Sequence, residues 1–158
     1  MKAYVPSKFR MPLKPGTTSS LKLTPKNIQA MAEGLIRYLL DQDLFLDARV
    51  YYKYKDTWYA CQPEHHYYDD KYGDKWEKIE HSYKNKTYTY YRAEINPSRC
   101  FEYTGDILAM SFEGPLYDHF NYAFETGDYR VQEQLRNYFS WWGLHYELGY
   151  AWSFALYE

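Results

Sequence analysis

The sequence predicts an α+β fold: an antiparallel sheet of four to six strands with two or three helices on one face. Two stretches carry apolar residues at helical spacing, and several others alternate apolar and polar residues one by one. The composition agrees. The 158 residues include 21 Tyr, 8 Phe and 5 Trp, and aromatic side chains suit the half-buried faces of a sheet. At 46% hydrophobic, the chain is long and apolar enough for one cored domain.

Residues 1–23 read as an extended arm. Pro6, Pro12, Pro15 and Gly16 exclude a helix there. Thr24-Pro25 then reads as an N-cap followed by proline at the first helical position. Ile28, Met31, Ala32, Leu35, Ile36, Leu39 and Leu40 form one apolar stripe, which predicts a helix ending near 41–43. Leu46 to Tyr54 alternates, with Asp47, Arg49, Tyr51 and Lys53 on a wet face. Lys55-Asp56 is the expected turn, and Thr57 to Gln62 the return strand.

Residues 63–86 break the pattern. This is a polar excursion of about 24 residues, and loops of that length inside a compact domain are often functional. Two short strands turning at Asp70-Lys71-Tyr72-Gly73 are the alternative. Thr87 to Ile95 and Ile107 to Glu113 read as further strands. Gly114-Pro115 opens a short helix with Leu116, Tyr117, Phe120 and Ala123 inward. Gly127-Asp128 is expected to cap a second main helix with the stripe Val131, Leu135, Tyr138, Phe139 and Trp142, closed by Gly143. Leu144 to Tyr157 alternates throughout. It predicts one long last strand, bent or bulged at Gly149 and inside the sheet. The face away from the helices is expected to be open to water or to a partner.

The net charge of −2 hides an asymmetry. Lys2, Lys8, Arg10, Lys14, Lys22 and Lys26 make the first 32 residues purely cationic, and the remaining 126 carry 13 Lys/Arg against 21 Asp/Glu. A basic arm before an acidic body fits an anionic partner for the arm, a cationic partner for the body, or an arm lying on its own domain. With no secretory apolar region and no 18-residue apolar run, a soluble cytoplasmic protein without membrane contact is expected. Cys61 and Cys100 lack CxxC spacing. Free, buried thiols are expected, and the spacing leaves a disulfide open.

Three functional readings follow. Cys61, Glu64, His65, His66, Asp69, Asp70 and His81 are metal-ligand types, and a metal-dependent hydrolase on His65, His66 and Asp69 would need three or four of them to converge. Paired carboxylates such as Glu94 and Glu113 would have to face one another in a cleft. No motif of a nucleophile elbow or phosphate cradle is present, and no cofactor is implied.

Direct binding of single-stranded nucleic acid would use Tyr67, Tyr68, Tyr72 and Trp76 interleaved with Lys71, Lys75 and Lys78, followed by Lys84, Lys86, Tyr88 and Tyr90. Asp69, Asp70, Asp74, Glu77 and Glu80 cancel that field, and phosphate contacts dominate such affinity. Protein binding fits best, because interface centres favour Tyr, Trp and Arg. The expected contacts are Lys8, Arg10 and Lys14 of the arm with Tyr67, Tyr68, Asp69, Asp70, Tyr72 and Trp76 of the excursion.

Ser111-Phe112-Glu113-Gly114-Pro115-Leu116-Tyr117 and Tyr146-Glu147-Leu148-Gly149-Tyr150-Ala151-Trp152-Ser153 resemble segments of small accessory proteins carried by phages and conjugative elements. The resemblance covers the last third of the chain and carries no site residue. It implies the context of anti-CRISPR and antirestriction proteins: a small, non-enzymatic inhibitor that occludes a host defence nuclease. A net charge of −2 departs from whole-molecule DNA mimicry.

Overall fold

A computed structural model describes residues 22–64, 75–96 and 107–158. Helix α1 spans Pro25–Asp41. Strands β1 (Ala48–Tyr54) and β2 (Thr57–Gln62) follow, then β3 (Glu77–Tyr83), β4 (Lys86–Ile95) and β5 (Leu108–Phe112). Next come α2 (Pro115–Asn121), α3 (Ala123–Thr126) and α4 (Arg130–Trp141), and the hairpin β6 (His145–Leu148) and β7 (Ser153–Tyr157). All strands pair antiparallel in one sheet of order β3-β4-β2-β1-β5-β7-β6. The fold is α+β, as the sequence predicts.

Local chemistry sets the two main helices. Thr24 caps α1, its hydroxyl accepting from the Asn27 N–H at 3.2 Å, and Pro25 stands at the first helical position. Ile28, Met31, Ala32, Leu35, Ile36 and Leu39 are buried. In α4, Val131, Leu135, Tyr138 and Phe139 are buried, and Gly143 follows with a left-handed φ of +81°. Both stripes press on the sheet face formed by Val50, Tyr52, Cys61, Tyr90, Met110, Phe112, Phe154 and Leu156. Each large apolar side chain buried there contributes roughly 1.5–3 kcal/mol. Tyr138 adds a buried polar tie by donating from its hydroxyl to the Met31 carbonyl at 2.8 Å.

Among the described residues the sheet has seven strands, more than the four to six expected, for two reasons. First, the terminal alternation folds back on itself. Residues 149–152 are a reversal, with the Gly149 N–H donating to the Ser153 carbonyl and the Tyr150 N–H to the Ser153 hydroxyl. Asn121 pins the turn through its side-chain amide, which donates to the Ala151 carbonyl at 2.8 Å. The predicted single strand is therefore a hairpin: β7 lies inside the sheet, and β6 is an edge.

Second, part of the excursion is regular. Residues 77–83 form β3, which turns into β4 through Lys84 and Asn85. Both turn residues have positive φ, 49° and 65°, the pattern of a type I′ hairpin. The proposed turn at 70–73 lies outside the described residues. Among the described residues the helices number four against two or three, because the chain kinks at Tyr122 between α2 and α3. Gly127 closes α3 with a φ of +73°, whereas the residue that precedes α4 is Tyr129. Asp128 contributes beside that cap, its carboxylate accepting from the Arg130 N–H.

The face away from the helices departs from expectation in burial. Its centre is not open, since Tyr51, Trp58, Ala60, Ala93, Ala109, Ser153 and Ala155 are all buried, while Lys78, Glu80 and Glu147 towards its two edges are exposed. Tyr51, Trp58 and Ala60 form a second small core, on which Trp76 and Ile95 pack. Tyr51, expected on a wet face, is only 6% exposed. No helix among the described residues is long and apolar enough to cross a membrane.

Candidate functional site

Among the described residues a groove of about 450 Å³ lies beside this second core. It lies where β1 enters the sheet and β5 leaves it. Arg49 and Tyr51 of β1 stand opposite Ser111 and Ala109 of β5, and Ser111 stands opposite Ser153 of β7. Small side chains at these positions leave space beside the Tyr51 ring. The Tyr51 hydroxyl lies 3.5 Å from the Ser111 hydroxyl.

Backbone contacts build the rim. Asp47 has a left-handed φ of 51°, and its carbonyl accepts from the Glu113 N–H at 3.0 Å. A Cβ on Gly114 would come within 2.3 Å of the Leu46 carbonyl oxygen, so the two loops touch where only glycine fits. The Phe112 N–H donates to the Trp152 carbonyl at 2.7 Å, which seats Trp152 at the groove edge. Its ring stacks on Tyr150, with centroids 4.9 Å apart.

Charge is arranged around this cavity. Asp47, Glu64 and Glu113 line it and are exposed, while Arg49 is half-buried among them. The Arg49 guanidinium lies 5.4 Å from the centroid of the Trp76 ring, within the range of a cation–π contact. Gln62, buried at the far wall, donates from its side-chain amide to the Glu64 carbonyl at 2.7 Å. Glu64, the last described residue before 65–74, lines the groove, and Lys75, the first after it, lies with Glu94, Ile95 and Asn96. The rim also carries exposed Leu46, 53% accessible, and Leu148 and Tyr150 stand exposed on the neighbouring hairpin.

Lys8, Arg10, Lys14, His65, His66, Tyr67, Tyr68, Asp69, Asp70, Tyr72 and Lys71 lie outside the described residues. Trp76 is described and packs against the second core. Among the proposed ligand set, Cys61 is buried on the helix side, Glu64 is at the groove, and His81 lies beside Arg37 at 3.3 Å. Among the described residues no group of three or more His, Cys, Asp or Glu is placed to hold a metal ion. Glu94 is on β4 and Glu113 just past β5, with β2 and β1 between those strands in the sheet. They do not form a catalytic pair.

Two of the proposed stacking rings are buried, while Tyr67, Tyr68 and Tyr72 lie outside the described residues. Tyr88 and Tyr90 are each 2% exposed. Lys86 forms an ion pair with Asp41 at 2.6 Å, and the Tyr88 hydroxyl also donates to Asp41. These residues tie the β3–β4 hairpin to the end of α1.

A second polar cluster lies at that side of the helix-covered face. Arg92 donates to Glu77 at 2.6 Å and to the Tyr52 hydroxyl at 3.3 Å, and lies 5.2 Å from the Tyr59 ring centroid. Burial raises the Tyr52, Tyr90 and Cys61 pKa values. Protonated phenols and a protonated thiol fit a packed polar wall, not a nucleophilic centre. Sequence reading missed the groove because it joins Asp47, Glu64, Glu113 and Trp152 from four separate segments. Only the paired turn signals near Gly114 and Gly149 pointed to its rim. The chain matches no known family model, no curated protein and no solved structure.

Proposed function

We propose that the chain acts by binding another protein at the groove between Arg49 and Trp152. One observation carries this reading: Trp152 and Arg49 line the same groove as three exposed carboxylates, Asp47, Glu64 and Glu113, on a rim tied by backbone hydrogen bonds. Interface centres favour Trp, Tyr and Arg, and a prebuilt rim reduces the ordering cost of association. Asp47, Glu64 and Glu113 suit a partner that presents Lys or Arg, which agrees with the acidic balance of residues 33–158.

A protein whose working surface engages nucleic acid presents such charge. Together with the resemblance of the 111–117 and 146–153 stretches, this supports an inhibitor that occludes a host defence nuclease. Tyr67, Tyr68, Asp69, Asp70 and Tyr72, which follow Glu64 in the sequence, would extend the contact, and Lys8, Arg10 and Lys14 would add a second one.

The test is affinity capture from a host lysate, with and without nuclease treatment, using the wild type and a Glu64→Gln/Glu113→Gln variant. One stoichiometric protein that survives nuclease and is lost with the variant is the expected result. Recovery of nucleic acid alone, or capture indifferent to the two carboxylates, overturns the reading.

A further inference from the structure

We propose that β3 is the seam of a twofold-symmetric dimer of this chain, with the β3 strands of two copies pairing antiparallel about Ile79. Among the described residues the strand is one of the two edges of the sheet. Its pairing with β4 fixes which backbone groups turn outward. The turn at Lys84-Asn85 makes Tyr83 and Lys86 the closing, hydrogen-bonded pair of the hairpin. Alternation then directs the backbone groups of Tyr83, His81, Ile79 and Glu77 to β4, and those of Ser82, Glu80 and Lys78 away from the sheet. Charged residues on an edge usually block strand addition. Here the charge order is self-complementary.

Reading Glu77-Lys78-Ile79-Glu80-His81 against its own reverse sets Lys78 opposite Glu80 of the second copy, and Glu80 opposite its Lys78. Ile79 meets Ile79, and Glu77 meets His81. A twofold axis normal to the sheet keeps each side chain on its own face only when the pairing is centred on a residue. Centring on Lys78 or Glu80 would set Lys78 against Lys78 or Glu80 against Glu80, and directly opposed like charges destabilise a pair. Centring on Ile79 avoids both and brings the outward amides of Lys78 and Glu80 into register with those of Glu80 and Lys78.

The residues needed are available. The Lys78 and Glu80 side chains are 55% and 57% exposed, and within one chain they already reach each other at 3.2 Å. Exchanging that pair for the cross-strand pair needs only rotation of two surface side chains. Glu77 is held by Arg92, so the outer pair adds a polar contact, and the register rests on Lys78, Glu80 and Ile79. One added strand pair is a small interface, so the dimer is weak and concentration-dependent.

The experiment is sedimentation equilibrium of the full chain over a concentration series reaching roughly 1 mM, for the wild type, Lys78→Glu, Glu80→Lys and an equimolar mixture of the two variants. The wild type is expected to dimerise. Each single variant sets like charges opposite each other twice, and its dimer dissociation constant is expected to rise about tenfold or more. In the mixture, the two acids of one variant face the two bases of the other, so the dimer is recovered as a heterodimer. Circular dichroism of each variant should match the wild type, since both side chains are exposed. A wild type monomeric throughout, or a mixture no more associated than its components, overturns the proposal.

Discussion

The Asp47 carbonyl accepts a hydrogen bond from the Glu113 N–H at 3.0 Å, so one backbone contact sets two of the three carboxylates at the groove. The next residue, Gly114, makes that approach feasible, because a Cβ there would meet the Leu46 carbonyl oxygen at 2.3 Å. Neither backbone can move aside without breaking the rim. Gly114→Ala is therefore expected to lower stability by about 1–3 kcal/mol. Urea denaturation should show a lower midpoint with an unchanged slope. A midpoint equal to that of the wild type would show that the two loops are not locked.

Trp152 offers a test of the proposed binding groove that leaves the backbone contact in place. Its backbone carbonyl receives the Phe112 N–H, while its ring stacks on Tyr150 at the groove edge. Trp152→Ala removes the ring and keeps the backbone bond. For an anchoring residue the expected loss of partner affinity is about 2 kcal/mol, or roughly thirtyfold. Titration of the captured partner against the variant measures it. Undiminished affinity would move the contact away from this rim.

His81 predicts a pH dependence. Burial lowers its pKa, Arg37 lowers it further, and Glu33 opposes both. The imidazole packs against the Tyr88 and Tyr90 rings. An unfolded histidine titrates near about 6.5, so on acidification the unfolded chain takes up the proton first. Stability from neutral His81 is complete above that value and is lost as pH falls through the lowered folded value. Asp128 acts in a lower window, since the Arg130 side chain and N–H hold its carboxyl down to about 2. Between about pH 7.5 and about pH 5 the wild type should lose more stability than His81→Gln. Parallel losses in denaturation midpoint would refute the assignment.

Much of this fold was legible because its signals are local. The Thr24-Pro25 cap, both helical stripes and the strands around 50, 60, 90 and 110 need only their own residues. The last hairpin was not legible from periodicity. Leu148 stands opposite Phe154, six residues on, and an even offset keeps the alternation unbroken through the reversal. A hairpin and one long strand then present the same pattern, and what decides is the Ser153 and Asn121 hydrogen bonds to the turn. The β3–β4 hairpin was obscured by Lys84-Asn85, which adopt positive φ without glycine. The groove was not legible because its parts meet only through the strand order.

Cys61 provides the last test, since it reports on how tightly the helix-covered face is closed. It is fully buried on β2, opposite Val50 on one neighbouring strand and Arg92 on the other. Burial pushes its thiol pKa well above the ordinary range; nearby Arg92 pulls it down, while Glu33 and Glu77 push it up. The thiolate is the nucleophile, so native Cys61 should resist alkylation at neutral pH and become reactive only when the sheet opens. Iodoacetamide labelling, read by peptide mapping at Cys61, should therefore be slow in buffer and complete in denaturant. Cys61→Ala should cost about 1 kcal/mol through lost packing. Cys61→Ser should cost more, because a hydroxyl is placed where the cluster is built to receive sulfur. Rapid native labelling, with the serine variant as stable as the alanine one, would mean that the Tyr52–Tyr90–Arg92 wall admits water and is a mobile surface, not a closed part of the core.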